Sequence, residues 1–218
     1  MPPRRPGWAV VLDFDGTVSM QDVSDQILLR FGAATPGEIR ASYRRGTVTE
    51  TWMREHFRRL GCARRRVERY VLSAAKLRPG FGAFLRLCRE RGVPVEIVSG
   101  GVDFYLDRLL SAWKADGLKR YRAASRFGPG GVSLRYAFLR GRTIEEFKRS
   151  RVRFHQRRSR RVLFAGDGVG DLAAARAADA AFARGALLRF LREDGLPARP
   201  LRDFRPLTRF LEARCSPR

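Results

Sequence analysis

Short apolar runs that end in polar or glycine-rich turns are the feature of this chain that most limits its fold. Three such runs cover residues 8–14, 93–98 and 162–165, and a weaker one covers residues 180–183. Their length and their β-branched residues are typical of fully buried strands. Apolar residues at helical spacing lie between the runs. Because strands alternate with helices, we predict an α/β fold with a parallel, three-layer, Rossmann-like sheet.

The alternation stops between about residue 19 and residue 76. Two sequences there, Thr35-x-x-Glu38 and Thr47-x-x-Glu50, have the pattern of a helix-opening capping box. Apolar residues at helical spacing follow these patterns, and glycines separate the helical stretches. We therefore expect about four short helices and no strand in this part of the chain.

This helical segment predicts a division of the chain into a core and an insert. Residues 1–18 and 77–218 form the predicted core, and residues 19–76 form a small helical cap inserted after the first strand. The glycine-rich stretch 127–137 predicts a hairpin near the edge of the sheet.

The chain is strongly basic, with a net charge of +23, and 41 of its 45 basic residues are arginines. Such a field attracts anions, either phosphorylated metabolites or nucleic acid. Since the arginines are scattered along the whole chain, a general preference for arginine on solvated faces is the favoured explanation. The charge alone therefore does not choose a function.

The cysteines, the hydropathy and the histidines give expectations for the compartment of the protein, for membrane contact and for metal binding. The three cysteines are isolated, which favours a reduced, cytoplasmic compartment and disfavours a zinc site. The apolar run near the start is too short for a membrane span, so no membrane partner is expected. His56 and His155 have no partners at ligand spacing, and we expect both to be exposed on helices. Trp52 and Phe57 are expected to be packing residues.

The first strand ends in the sequence Asp13-Phe14-Asp15-Gly16-Thr17. Residues two apart on a strand project to the same face, so both carboxylates can point into one site. A divalent cation relieves the repulsion between two such charges. Asp13 is placed to attack phosphorus, and Asp15 is placed to protonate a leaving oxygen and later to activate water.

Two other strands end in turns that suit the same chemistry. Ser99-Gly100-Gly101 offers a hydroxyl and backbone amides to a phosphate oxygen. Asp167 and Asp171, four residues apart in Gly166-Asp167-Gly168-Val169-Gly170-Asp171, supply the oxygen ligands that Mg²⁺ prefers. Because the carboxyl ends of parallel strands face one crevice, we expect these turns to converge.

Lys148 is the candidate cation of the site. It lies in a predicted helix that a capping box, Thr143-x-x-Glu146, opens just before the third strand. Its ammonium group can neutralise the charge that develops on a transferring phosphoryl group. The chain has only four lysines and is otherwise rich in arginine, so a lysine at this position favours a role in the site over a surface charge.

The ordered set of these four segments resembles the haloacid dehalogenase superfamily of aspartate-nucleophile phosphatases. The resemblance covers nearly the whole chain, and it implies a magnesium cofactor and a helical cap that closes over the substrate. By this resemblance Asp13 is the nucleophile and Asp15 the general acid and base. The implied phosphate-binding residues are Thr17, Ser99, Gly100 and Lys148. The implied magnesium ligands are Asp13, Asp15 through its backbone carbonyl, and Asp167, with Asp171 in support.

Within the superfamily the chain is most similar to the phosphoserine-phosphatase branch, and closest there to the methionine-salvage phosphatases that act on 2-hydroxy-3-keto-5-methylthiopentenyl-1-phosphate. The residues that carry this similarity are 98–105, 182–184 and Asp203-Phe204. Asp22 stands where phosphoserine phosphatases usually have a glutamate that holds the substrate amine.

These observations lead to a set of functional expectations. The first is a phosphomonoester hydrolase for a small phosphorylated metabolite, either the salvage enol phosphate or phosphoserine. The second is phosphoryl transfer to an alcohol with the same residues. The alternative from another class is a basic nucleic-acid-binding protein on the same scaffold, which is disfavoured because the chain has no recognisable binding motif.

The protein is expected to be a monomer or a homodimer. Four cap arginines are candidates for a contact with a substrate anion: Arg44, Arg45, Arg54 and Arg58.

Overall fold

The apolar runs form the middle strands of one seven-stranded sheet in the computed structural model, which describes residues 7–215. Residues 1–6 and 216–218 of the predicted core lie outside the described residues. The strands are β1 (Gly7–Leu12), β2 (Val95–Val102), β3 (Lys119–Gly128), β4 (Gly131–Arg135), β5 (Arg160–Gly166), β6 (Ala180–Ala183) and β7 (Arg199–Pro200).

Helices cover both faces of this sheet, and the predicted three-layer α/β fold is confirmed. Four of them lie in the predicted insert: α1 (Val23–Arg30), α2 (Pro36–Ser42), α3 (Thr49–Arg58) and α4 (Arg64–Ala74). The others are α5 (Phe81–Glu90), α6 (Asp103–Ala112), α7 (Ile144–Gln156), α8 (Leu172–Ala177), α9 (Gly185–Glu193) and α10 (Arg205–Glu212). A short 3-10 turn, Val169–Asp171, leads into α8.

The order of the strands places β1 at the centre of the parallel part of the sheet. The order is β4-β3-β2-β1-β5-β6-β7, and β1 pairs in parallel with β2 on one side and with β5 on the other. The chain therefore changes its direction of winding across β1. In open α/β sheets the ligand crevice lies at such a point, beyond the carboxyl ends of the strands.

Burial explains why these segments are strands. All residues of β1 after Gly7 are buried, as a central parallel strand with helices on both faces requires. The predicted hairpin is present, since β3 and β4 pair in antiparallel register around a turn at Gly128–Gly131. None of the helices between residues 7 and 215 is long and apolar enough to cross a membrane.

The two connections between core and insert lie side by side. Ser19 and Leu77 form an antiparallel bridge at the points where the chain leaves and re-enters the core. This pairing agrees with an insert at residues 19–76, although the division of the chain into domains stays a prediction.

Two details of the local prediction are wrong. Thr47-x-x-Glu50 does not form a capping box, because α3 begins at Thr49 with Val48 at its N-cap. The Glu50 carboxylate instead accepts a hydrogen bond of 3.2 Å from the backbone N–H of Ile144, at the start of α7. In addition, β2 does not end at Ser99 but continues to Val102. The boxes at Thr35 and Thr143 are both formed as predicted.

The prediction that His56 and His155 are exposed is also wrong, since both are buried. His155 lies in α7 against Glu96 of β2, with its Nε2 at 3.4 Å from a Glu96 oxygen. Arg151, one turn earlier in α7, donates two hydrogen bonds of 2.8 and 2.9 Å to the same carboxylate. These contacts fix α7 on the sheet. Lys148 stands three residues before Arg151, so the same contacts set its position.

We predict that Glu96→Gln lowers the free energy of unfolding by about 3 kcal/mol, because it leaves the Arg151 charge without its partner in a buried place. Urea denaturation measures this loss. Glu193→Gln is the matched control, since Glu193 likewise lies beside two basic side chains, Arg45 and Arg189, but at the surface, where such a pair contributes less than about 1 kcal/mol. Equal losses in the two variants would show that the Glu96 pair does not hold α7.

Candidate active site

Asp13 stands directly after β1, at the carboxyl end of the central strand. Its backbone N–H continues the sheet by donating a hydrogen bond of 2.9 Å to the carbonyl of Ala165. Its Oδ1 atom accepts a hydrogen bond of 2.7 Å from Nζ of Lys148, and both side chains are almost completely buried. The structure thus brings two residues together that are 135 positions apart in the sequence.

Asp171 holds the other side of Lys148 and also organises its own loop. Its Oδ1 atom accepts a bond of 2.6 Å from Lys148 Nζ. Its Oδ2 atom accepts bonds of 3.0 Å from the backbone N–H groups of Asp167 and Gly168. Both oxygens are therefore occupied, so Asp171 supports the site by positioning Lys148 and the Asp167 loop.

Burial, together with neighbouring charges, raises the pKa values of Asp13 and Asp167. Burial raises the pKa of Asp13 to about 7, with Asp171 adding to this and Lys148 opposing it. Burial, followed by the charges of Asp13 and Asp171, also raises the pKa of Asp167. For Lys148, burial acts against the charged form, but Asp13 and Asp171 outweigh it and raise the pKa. The carboxylates therefore need more positive charge than Lys148 supplies.

Three carboxylates of the site could share one cation. Asp13, Asp167 and Asp171 each offer an oxygen, and these atoms lie within 4.8 Å of one another. Oxygen ligands of this kind suit Mg²⁺, which keeps several waters and needs few carboxylates. Since Asp171 is already committed to hydrogen bonds, Asp13 and Asp167 are the side chains that fit a magnesium ion best.

Asp15 also lines the cleft, but its carboxylate is held by residues outside that cluster. Its Oδ2 atom accepts a hydrogen bond of 2.6 Å from the Tyr105 hydroxyl, and its Oδ1 atom accepts one of 3.2 Å from the Val23 N–H. Burial, and then the charge of Asp22, raises its pKa. A role for Asp15 at the metal would therefore use its backbone carbonyl, as the resemblance implies.

Of the predicted phosphate-binding residues, Ser99, Gly100 and Lys148 line the cleft and Thr17 does not. Ser99 and Gly100 line the cleft beside Asp13, and the Ser99 hydroxyl accepts a hydrogen bond of 2.9 Å from the Gly101 N–H. Thr17 is fully buried, is not among the residues that line the cleft, and its hydroxyl has no partner among the described residues. A contact between Thr17 and phosphate stays a prediction.

The insert covers the cleft through the first turn of α3. Thr49 lies against two glycines of the core, because a Cβ atom at Gly100 or Gly170 would come within 2.8–2.9 Å of its side chain. The hydrogen bond from the Ile144 N–H to the Glu50 carboxylate joins α3 to α7 at the same side of the cleft. Trp52, expected to be only a packing residue, lines the cleft and stacks on His56 at a centroid distance of 4.1 Å.

Arg78 joins the insert to the first motif and was not recognised from the sequence. Its buried guanidinium donates hydrogen bonds to the backbone carbonyls of Gly16, Thr17, Ser19, Met20 and Arg202, at 2.6–3.2 Å. Burial lowers its pKa to about 10, which leaves it charged at neutral pH. One arginine among 41 gives no signal in the sequence, so only the fold reveals this role.

The far wall of the cleft is acidic. The Tyr43 hydroxyl donates to both Asp22 Oδ2, at 3.1 Å, and Asp25 Oδ2, at 2.7 Å. Burial, and then the charge of Asp22, raises the pKa of Asp25 to about 8. Among the described residues that line this cleft, Lys148 is the one cation. The cleft encloses about 610 Å³ of empty space.

The four candidate cap arginines lie elsewhere. Arg45 pairs with Glu193 and Asp194 at the surface, and Arg54 lies over the ring of Tyr136. Arg44 lines a neighbouring open cavity together with Arg40, Arg184 and Arg189, and Arg58 is exposed on α3 beside the β3–β4 turn. None of the four lines the cleft in the described part of the chain.

Residues 10–176 match the family model of the haloacid dehalogenase-like hydrolases. The chain therefore belongs to this family, and the predicted family membership is confirmed. Solved structures agree with the fold: a phosphoserine phosphatase with a phospho-aspartyl intermediate analogue has a TM-score of 0.74 at 17% identity, over 95% of this chain and 99% of that one. A phosphoserine phosphohydrolase-like protein from Francisella tularensis has a TM-score of 0.70 at 12% identity, over 93% and 99%.

Curated relatives are more similar in sequence, and their names support an enzyme of the phosphatase type. The bifunctional enzyme MtnB/MtnX of Bacillus licheniformis is 30% identical over 212 residues, which is 93% of this chain and 49% of that protein. The chain thus spans about half the length of that relative. The 2-hydroxy-3-keto-5-methylthiopentenyl-1-phosphate phosphatase of Brevibacillus brevis is 26% identical over 213 residues, or 92% of this chain and 93% of that protein.

We predict that Gly16→Ala raises the dissociation constant for Mg²⁺ by about 10–100-fold, the range typical when the support of a metal ligand is disturbed. A Cβ atom at Gly16 would overlap the Asp167 carboxylate, so Asp167 has to move. Calorimetric titration with Mg²⁺ alone measures the change.

Gly32→Ala is the matched control, because Gly32 has the same φ of +68° but nothing within 4 Å of an added Cβ atom. Both variants carry the same backbone penalty of about 1–2 kcal/mol. Equal affinity for Mg²⁺ in the two variants would mean that Asp167 is not a metal ligand.

Proposed function

We propose that this protein is a magnesium-dependent phosphatase that transfers the phosphoryl group of a small metabolite to Asp13 and then to water. The observation that supports this most is the buried Asp13 carboxylate at the end of β1, held by Lys148 and close to Asp167. Bound Mg²⁺ would supply positive charge to the phosphate oxygens.

In the first step one oxygen of Asp13 attacks phosphorus while Lys148 holds the other, Oδ1. The bond between phosphorus and the ester oxygen breaks, and protonated Asp15 gives its proton to that leaving oxygen. Lys148 stabilises the charge on the transferring group, and the Ser99 hydroxyl donates a hydrogen bond to one of its oxygens. The products are an aspartyl phosphate on Asp13 and the free alcohol or enol.

In the second step Asp15, now ionised, takes a proton from a water molecule that attacks the phosphorus atom. The bond between phosphorus and the Asp13 oxygen breaks, which releases phosphate and restores both carboxylates. The closed insert, with Thr49 and Glu50 against the core, limits access of other water during the first step.

The charges of the cleft favour a substrate whose leaving group has no carboxylate. Beyond the catalytic residues the wall carries Asp22, whose charge adds to burial in raising the pKa of the neighbouring Asp25, so a negative group placed there meets a like charge. Trp52 and Met53 add apolar surface to the same wall, which suits a thioether. These features support a metabolite such as 2-hydroxy-3-keto-5-methylthiopentenyl-1-phosphate, the compound in the names of several relatives, over phosphoserine.

We predict that Asp13→Asn abolishes hydrolysis of 4-nitrophenyl phosphate, with a loss of at least about 10⁴-fold in kcat, because an amide oxygen is a poor nucleophile. Asp116→Asn, a change of the same kind at an exposed position, keeps the wild-type rate. Full turnover in Asp13→Asn would rule out the proposed nucleophile.

We further predict that O-phosphoethanolamine is a better substrate than O-phosphoserine by about tenfold or more in kcat/KM, since about 1.4 kcal/mol of repulsion gives this factor. The two compounds differ only in the carboxylate. The salvage enol phosphate is expected to exceed both. A preference for phosphoserine over phosphoethanolamine would contradict the proposed substrate class and favour a phosphoserine phosphatase.

A further inference from the structure

The hydroxyl group of Tyr105 is buried between the core and the insert. Tyr105 lies in the first turn of α6 and is completely inaccessible to solvent. Its hydroxyl donates a hydrogen bond of 2.6 Å to Asp15 Oδ2, and a second contact of 2.6 Å joins it to the hydroxyl of Ser24 in α1. Two short bonds to one buried hydroxyl fix the position of all three side chains.

The backbone leaves room for this contact. Gly101 passes beside the point where the Tyr105 hydroxyl meets Asp15, and a Cβ atom at Gly101 would overlap both groups. The contact between Tyr105 and Asp15 therefore requires glycine as the last residue of Ser99-Gly100-Gly101. Any other residue there would push Tyr105 and Asp15 apart.

The hydrogen-bond chain stays complete whichever role Asp15 performs. When Asp15 is ionised, Ser24 donates to Tyr105 and Tyr105 donates to Asp15. When Asp15 carries a proton for the leaving oxygen, both of its oxygens keep a lone pair, so Tyr105 and Val23 can still donate to them. The hydrogen bonds that orient Asp15 are therefore available in both half-reactions.

Two residues at the start of α1 in the insert, Val23 and Ser24, take part in these hydrogen bonds. Ser24 is the second residue of α1, and the N–H of Val23, the first residue of α1, donates to the other oxygen of Asp15. Each oxygen of the Asp15 carboxylate is thus tied to the start of the insert, one directly and one through Tyr105. The orientation of Asp15 consequently depends on the position of α1.

We propose that Tyr105 is a positioning residue that holds the Asp15 carboxyl towards the leaving group, and that Ser24 couples this orientation to the helical insert. This inference rests on the proposed function, in which Asp15 protonates the leaving oxygen. Tyr105 itself does not touch the reacting atoms.

The test compares two substrates of similar size in the variant Tyr105→Phe. Benzyl phosphate has a poor leaving group that needs a proton, whereas 4-nitrophenyl phosphate has a good one that does not. The ratio kcat/KM reports the steps up to departure of the leaving group. General acid catalysis contributes about 10²–10⁴-fold, and we expect loss of the hydroxyl to remove about 10-fold or more of this for benzyl phosphate. The value for 4-nitrophenyl phosphate should change by less than about threefold.

The ratio of the two kcat/KM values makes the test independent of folding, because an inactive fraction lowers both values equally. Tyr121→Phe is the matched control, since the Tyr121 hydroxyl has no hydrogen bond among the described residues and the ring packs against Phe147. Ser24→Ala should shift the ratio in the same direction as Tyr105→Phe, by a smaller factor. An unchanged ratio in Tyr105→Phe overturns the proposal.

Asp15→Asn separates this proposal from the proposed function. If Asp15→Asn selectively lowers kcat/KM for benzyl phosphate and Tyr105→Phe does not, Asp15 is the acid but Tyr105 does not position it. If Asp15→Asn also leaves the ratio unchanged, the assignment of Asp15 as the acid is wrong, and the Tyr105 proposal fails with it. A selective loss in both variants supports both assignments.

Discussion

The Lys148 ammonium group between Asp13 and Asp171 is the contact on which the rest of the site depends. Two buried carboxylates would repel each other without it, and the cost of removing these charges from water requires close partners. Lys148 gives each of them a hydrogen bond shorter than 2.8 Å. Its position follows from α7, which the ion pair of Arg151 with Glu96 fixes on the sheet. The ends of the parallel strands β1 and β5 and one helix, α7, therefore place a single cation beside Asp13, the proposed nucleophile.

The insert contributes to the site as much as the core does. Arg78 stands where the chain returns to the core and ties this point to the chain leaving the core, through the carbonyls of Gly16, Thr17, Ser19 and Met20. The first turn of α1 supports Asp15, and the first turn of α3 closes the cleft through Thr49 and Glu50. The insert thus also holds Asp15, the proposed acid, so a movement of the insert would change the orientation of that carboxyl group.

The main elements and the order of the motifs could be predicted because they follow from local patterns. Buried strands of a parallel sheet have the sequence pattern of apolar runs, and Asp13 and Asp167 directly follow two of them, whereas Ser99 lies inside β2. The remaining features depend on contacts that are distant in sequence. Glu50 has the spacing of a capping box, yet it pairs with the N–H of Ile144, 94 residues away. Tyr105 has the spacing of an ordinary helix residue, and only the folded chain places it against Asp15.

The central claim is that Asp13 carries the phosphoryl group between the two steps. Its most direct test is mass spectrometry of the protein quenched in acid during turnover of 4-nitrophenyl phosphate with Mg²⁺ and then digested with pepsin at low pH, which preserves an aspartyl phosphate. The account predicts one phosphoryl group per chain on the peptide with Asp13, and none in Asp13→Asn. Sustained turnover with the phosphoryl group on another residue, or with no phosphorylated chain under conditions that slow the second step, would contradict it.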